Sequence, residues 1–221
     1  MGHFAGRAIV TDGIIFQVDA ANKLCGNVTN AKNIVNPTET GTFNNGASVV
    51  DNAYTFDGTD DYIEYDNTLG NFSITDSFSI ECWINVVTDG TDRVIVARYS
   101  SGNRGYMMRV TSTDTIRFGV TDDGGKYRFS DTSVLQDGWN YVVGTWDGTD
   151  AKSYINGDLD STEVYNGTLT TISTSEPLFI GKASDYGSVT DGLISSVKIY
   201  NRELTQSEVT QNYEATKYRF I

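Results

Sequence analysis

The sequence predicts an all-β domain of antiparallel strands with one short helix near the C-terminus, on three observations. Apolar and polar residues alternate with period two in a series of strand-length segments. Turn-forming clusters of Asp, Asn, Gly, Ser and Thr separate those segments. A single capping pattern, Thr205-Gln-Ser-Glu208, precedes the final stretch. The length of 221 residues suits one core, and 22 Gly and 13 Tyr against 2 Pro fit many strands and tight turns.

In chain order the alternating segments are Ile14 to Val18, Tyr62 to Tyr65, Phe78 to Val87, Arg93 to Arg98, Tyr106 to Val110, Ile116 to Val120, Lys126 to Phe129, Trp139 to Trp146 and Leu193 to Tyr200. The tetrapeptide Asp-Gly-Thr-Asp recurs at 57–60, 89–92 and 147–150, with Asp122-Asp-Gly-Gly125 as a further turn signal. Its uneven spacing marks recurring turn chemistry and not a structural repeat. In Tyr154-Ile-Asn-Gly-Asp-Leu159 the Asn-Gly pair predicts a type I′ hairpin. The capping box, with Leu204 and Val209 placed as a hydrophobic staple, predicts a helix near 205–215. Residues 1–13 read as an N-terminal arm, 14–215 as the folded domain, and 216–221 as a basic and aromatic tail with no reason to fold alone.

The formal charge of −13 without a local Lys/Arg cluster argues against nucleic acid as a partner. The N-terminal residues lack a secretory pattern, so no signal peptide is expected, and no run of about 18 apolar residues predicts membrane insertion. The sequons at Asn27, Asn71 and Asn166 are then expected to be chance matches. Cys82 falls on the apolar face with Ile80 and Ile84 and reads as a buried thiol; whether it pairs with Cys25 stays open.

Four segments together resemble the concanavalin A-like lectin/glucanase superfamily in its laminin G-like branch. They are Tyr54 to Ile63, Phe78 to Ile84, Gly138-Trp-Asn-Tyr-Val142 through Tyr154 to Gly157, and Leu178-Phe-Ile-Gly181 followed by Gly192 to Arg202. The resemblance implies an antiparallel two-sheet jelly-roll β-sandwich. In it Phe56 and Ile63 would anchor a strand pair around the acidic turn, Trp83 and Trp139 would fill the sandwich, and Gly181 and Gly192 would relieve crowding. The opening Gly13 to Asn22 and the ending Gln211 to Phe220 are similar to laminin G-like structural proteins of tailed bacteriophages.

That second resemblance implies a non-enzymatic virion structural protein, made in the host cytoplasm and exposed on the virion surface as a head decoration or tail-fibre component. Other virion proteins, a homo-oligomer such as a trimer, and host surface glycans are its implied partners. Phe4, Ile9, Tyr218, Phe220 and Ile221 are the candidate assembly contacts. The alternative is a calcium-assisted carbohydrate-binding lectin module of a microbial surface protein.

For chemistry, the superfamily's glucanases carry Glu-x-Asp-x-Glu on a strand, and here Glu64-Tyr-Asp-Asn-Thr68 lacks the third acid. The sole histidine, His3, lies in the arm, so a His-assisted nucleophile is not expected. No cofactor is required by any motif, and calcium is an optional one. Asp57, Asp60 and Asp61 are its candidate ligands, with Asp122 and Asp123 as further hard-oxygen donors, although Ser195 stands where the family often has an acid. Solvated turn acids are the plainer reading. Tyr99, Tyr127 and Tyr186, with Tyr106 and Tyr165, are candidate aromatic platforms for glycans, against strand packing as the alternative use.

Overall fold

The computed structural model describes residues 8–27, 29–99, 105–122, 127–165, 172, 175–184 and 186–221. Among them, two antiparallel sheets pack face to face. The first sheet runs in the order β15 (Asp158–Glu163), β14 (Ala151–Ile155), β13 (Asn140–Trp146), β8 (Phe78–Val86), β17 (Asp191–Tyr200), β6 (Ala53–Asp57) and β5 (Ser48–Val50). Strand β1 (Ile14–Asp19) shares the edge of β17 with β6, pairing Ser196 to Tyr200 while β6 pairs Asp191 to Ile194. The second sheet runs β12 (Tyr127–Val134), β11 (Thr115–Thr121), β10 (Gly105–Val110), β9 (Arg93–Tyr99), β16 (Phe179–Ile180), β7 (Tyr62–Glu64), β4 (Thr40–Asn44), β3 (Asn30–Lys32) and β2 (Gly26–Asn27).

The inner faces meet in one apolar core that includes Phe16, Ile80, Cys82, Ile84, Val96, Met108, Phe118, Val142 and Trp146. Phe78 is its aromatic centre, stacked on Phe72 at 4.4 Å and within 6 Å of Tyr106 and Phe118. Cys25 and Cys82 are both buried free thiols, which answers the pairing question. All three Asp-Gly-Thr-Asp segments fold alike. Asp57, Asp89 and Asp147 each accept the N–H of the Thr two residues on, at 2.8, 3.1 and 2.8 Å, with the intervening glycine at positive φ. The hairpin at Asn156-Gly157 has positive φ at both positions, as a type I′ turn requires.

Two expectations are corrected. Phe56 and Ile63 do not anchor one strand pair: β6 lies in the first sheet and β7 in the second, so the acidic turn at 57–60 is a corner between sheets. Trp83 does not fill the sandwich. Since Ile80, Cys82 and Ile84 point inward, strand parity sends Trp83 to the outer face of the first sheet. Trp139 joins that outer cluster, and Trp146 is the tryptophan of the core.

The outer face of the first sheet is covered by α1 (Gln206–Thr216). Its capping box is complete, and Leu204 and Val209 are both buried. Beneath it lies a buried carboxylate, Glu81, paired with Lys198 and accepting from the Tyr141 hydroxyl and the Asn212 amide, each at 2.7 Å. Asn212 in turn accepts the Val10 N–H at 2.7 Å, and Tyr200 donates to the Val10 carbonyl. The tail also docks on its own chain. Lys217–Arg219 form a 3-10 turn, Phe220 stacks on Trp83 at 4.2 Å, and Arg219 makes a two-pronged ion pair with Asp19 at 2.7 and 2.8 Å. On the far side, the edge strands of the two sheets are stitched where Asp160 accepts both the N–H and the hydroxyl of Ser133 at 2.6 Å.

Two predictions follow from packing and charge. A Cβ at Gly144 would lie 2.0 Å from the Phe118 ring, so Gly144→Ala is expected to lower stability by about 1–3 kcal/mol in urea unfolding. Hydrogen bonds from Arg202, and then from the N–H and hydroxyl of Thr205, lower the Glu208 carboxyl from its ordinary 4.5 to about 2. The stabilisation is fully present above pH 4.5 and is lost as pH falls toward 2. Amide exchange in α1 should therefore accelerate over that window, and Glu208→Gln should remove the acid step.

Candidate functional site

The outer face of the second sheet carries no covering helix among the described residues, and strand parity selects its side chains. Ile63 points into the core, which turns Tyr62 and Glu64 outward. Tyr62 meets the edge of Phe179 at 5.8 Å, and the Lys182 ammonium stands 3.7 Å from its ring centroid. Such an ammonium is attracted by the ring's negative face and keeps its donors for other acceptors. Burial, then the charges of Glu64 and Asp60, raise the Tyr62 hydroxyl above its ordinary value, so it stays protonated and able to donate.

Lys182 is held by the loop that follows β16. Gly181 donates to the Ile95 carbonyl at 3.0 Å and accepts from Thr190 at 2.8 Å, which closes the base of the loop. Gly181 itself sits at φ +96°, and a Cβ there would meet the Phe56 ring at 2.7 Å. Between this loop and the corner at 57–60 opens a cleft of about 290 Å³, lined by Asn45, Thr59, Asp60, Tyr62, Lys182, Ala183, Ser184, Gly187, Ser188 and Val189. One aromatic ring, one ammonium, one carboxylate, an amide and several hydroxyl groups thus converge on one concavity.

The structure brings Asp57, Asp60 and Asp61 together beside this cleft, one ligand oxygen from each lying within 4.8 Å of the others. Asp57 and Asp60 are exposed, whereas Asp61 is only 4% exposed. One of its oxygens accepts the Asp57 N–H at 3.0 Å; the other is buried without a well-formed hydrogen bond. Burial, and next the charge of Asp57, raise the Asp61 carboxyl above its ordinary 3.8. A hard, all-oxygen donor set, with one buried oxygen held only loosely by the Ala47 N–H, fits a calcium-type cation. Asp122 is fully buried and lies outside this group, and Asp123 lies outside the described residues.

Of the aromatic candidates, Tyr99 and Tyr186 meet edge to face at 6.3 Å on the same outer face. Tyr186 donates to Asp92 at 2.9 Å, and the Arg109 guanidinium lies over its ring at 5.2 Å. Tyr106 is corrected: it is 2% exposed and donates to the Gly70 carbonyl inside the core, so it offers no platform. Tyr165 is half-buried with Arg128 over its ring. The side chain of Tyr127 lies outside the described residues.

Of the assembly candidates, Phe4 also lies outside them, and Ile9 is half-buried. Tyr218 and Ile221 are 75% and 71% exposed, while the Phe220 ring is spent against Trp83 and Trp139. Sequence reasoning missed Tyr62 and Lys182. The inward Ile63 was the available signal for Tyr62, whereas nothing local to Lys182 announces that a loop places it over a ring from another strand.

No curated protein sequence matches the chain significantly. Solved structures similar in fold include the binding domain of Paraclostridial Mosquitocidal Protein 1, with a TM-score of 0.75, 18% identity, and 91% of this chain against 52% of that one. The receptor-binding domain of botulinum neurotoxin D gives 0.72, 16% identity, and 92% against 52%. The ligand-binding domain of botulinum neurotoxin serotype D in complex with N-acetylneuraminic acid gives 0.70, 18% identity, and 93% against 51%. The chain therefore spans about half the length of each, and at these identities the likeness is one of fold. The family model of Laminin_G_3 matches residues 57–210, from the corner that bears the acid trio to the helix that closes the opposite face, and the chain belongs to the concanavalin A-like lectin/glucanase superfamily.

Proposed function

We propose that this domain is a non-enzymatic recognition module that binds carbohydrate in the Tyr62–Lys182 cleft. The observation that carries the reading is the convergence there of an aromatic ring, an ammonium and several hydroxyl and amide groups on an open sheet face. Sugars present apolar ring faces and outward hydroxyls, which such a mixture can meet. The family, and a fold neighbour whose complex holds N-acetylneuraminic acid, support the same reading. On a glycan array, the protein should retain specific ligands. Lys182→Ala should weaken the best of them about tenfold, the loss of one charged hydrogen bond. An array with no specific signal would sink the proposal.

Calcium is the second element of the reading, because the acid trio shares Asp60 with the cleft, so a bound ion would stand beside the sugar. Without an ion, the raised Asp61 carboxyl makes the fold less stable as pH rises from its ordinary 3.8 toward its folded value. Calcium at about 100 times its Kd should add about 2.7 kcal/mol and raise Tm at neutral pH. Asp61→Asn should abolish the calcium effect while raising Tm in chelator, as read by thermal unfolding.

Display on a tailed-bacteriophage virion, as a decoration or fibre component, is the placement we propose for the module. Its exposed Tyr218 and Ile221 would serve as contacts to other virion proteins or to copies of itself, for instance in a trimer. Electron microscopy of the source should find the domain at regular positions on a particle, and a wholly particle-free protein would overturn that placement.

A further inference from the structure

The Tyr62–Lys182 cleft borders a second concave feature on the same sheet face. Beyond it, β4 and β7 present their outward residues in register: Asn44 lies opposite Tyr62 and Thr42 opposite Glu64, and the same register carries Thr40 toward Asp66. Outward neighbours on one strand are about 6.7 Å apart, so the three cross-strand pairs form a track about 13 Å long between the end pairs. A cavity of about 430 Å³ lies over the track, lined by both rows. It shares Thr40 and Asp66 with a further cavity of about 460 Å³ that ends at Glu39. These two concavities adjoin at Thr40 and Asp66 and run along the strands; the Tyr62–Lys182 cleft shares no lining residue with them and borders them where Asn44 lies opposite Tyr62.

The two rows differ in chemistry. On β4 stand hydroxyl and amide groups; on β7 and just beyond it stand Glu64 and Asp66, with Glu39 at the far end. Asp66 accepts the N–H and the hydroxyl of Thr68, each at 2.8 Å, which lowers its carboxyl below the ordinary value and keeps it charged. Glu39 is held by the amides of Asn33 and Asn36 at 2.6 and 3.0 Å. These carboxylates accept hydrogen bonds and donate none. Lys182 is the one cation among the residues lining the three cavities, and Asp60 lies beside it in the same cleft; Lys32, opposite Thr40 on β3, borders the track, so the lining carboxylates Glu39, Asp60, Glu64 and Asp66 outnumber the nearby cations.

We infer that the β4–β7 track receives a linear glycan of several linked units that is uncharged or amine-bearing, and that it rejects glycans carrying carboxylate or sulfate groups. The inference rests on the carbohydrate-binding reading and deepens it. Hydroxyl and amino groups would donate to the β7 carboxylates while ring oxygens and hydroxyls accept from the threonines of β4. An anionic chain would face the same carboxylates at close range, and screening by salt would only weaken the repulsion. The selectivity is opposite to what an acidic sugar such as N-acetylneuraminic acid would need along this track.

The test is titration calorimetry with the intact chain and four probes: a neutral β-linked glucose hexamer, a glucosamine hexamer, a galacturonic acid hexamer and N-acetylneuraminic acid, backed by an array of neutral and acidic oligosaccharides of graded length. Bound ligands should be neutral or amine-bearing, and the longest should bind at least tenfold tighter than its single unit. Glu64→Gln with Asp66→Asn should bring acidic oligosaccharides to within threefold of their neutral counterparts at low salt. Acidic ligands preferred by the unaltered chain, or affinity independent of length, would overturn the inference and leave carbohydrate binding standing. Absence of any glycan signal would overturn both.

Discussion

The buried carboxylate of Glu81 is the constraint on which one whole side of the molecule depends. Its oxygens receive Lys198 from β17, Tyr141 from β13 and Asn212 from α1, so three segments far apart in the chain meet at one charge. Removing one partner of such a buried pair typically costs about 3–5 kcal/mol, because the other is left charged and dry. The helix adds apolar contact through buried Val209 and through Tyr213, whose ring lies 5.9 Å from both Trp83 and Tyr141. Its position is set by the Asn212 amide and by the hydrogen bond from the Trp83 indole to Thr216 at 2.9 Å.

That arrangement also divides the labour between the two outer faces. On the first sheet, helix and tail bury Trp83 and Tyr141 and place Phe220 over Trp83 and Trp139. Aromatic rings that would make a platform are thereby consumed in the fold. The second sheet keeps its outer face clear at β4 and β7, and beside them the loop after Gly181 hangs Lys182 over Tyr62 and over the buried Phe179 of β16. The corner at 57–60, which carries the chain between sheets, brings its acids to the rim of the same face.

What could be read from the sequence follows from how local the cause is. Alternation located the long strands, Asn156-Gly157 located its hairpin, and Thr205 with Glu208 located the helix, since each acts within a few residues. Strands β2 to β5 were missed because Asn30–Lys32 or Thr40–Asn44 present few apolar residues and take their pairing from distant partners. The family resemblance placed Trp83 in the sandwich, although parity with Cys82 already placed it on the other face. The acid trio was legible because its members are neighbours in sequence. Tyr62 and Lys182 meet only through two corners and a loop, and no local pattern records that.

The stitch between Ser133 and Asp160 has a consequence for life at high local concentration. Strand β15 forms the outer border of the first sheet, and a bare border can template the addition of a strand from another molecule. Here the border carries Asp158, Asp160 and Glu163, and Asp160 ties it to β12, the border strand of the second sheet. Many copies crowded on one surface would therefore repel one another along this seam instead of zipping into fibrils, and stay separately folded.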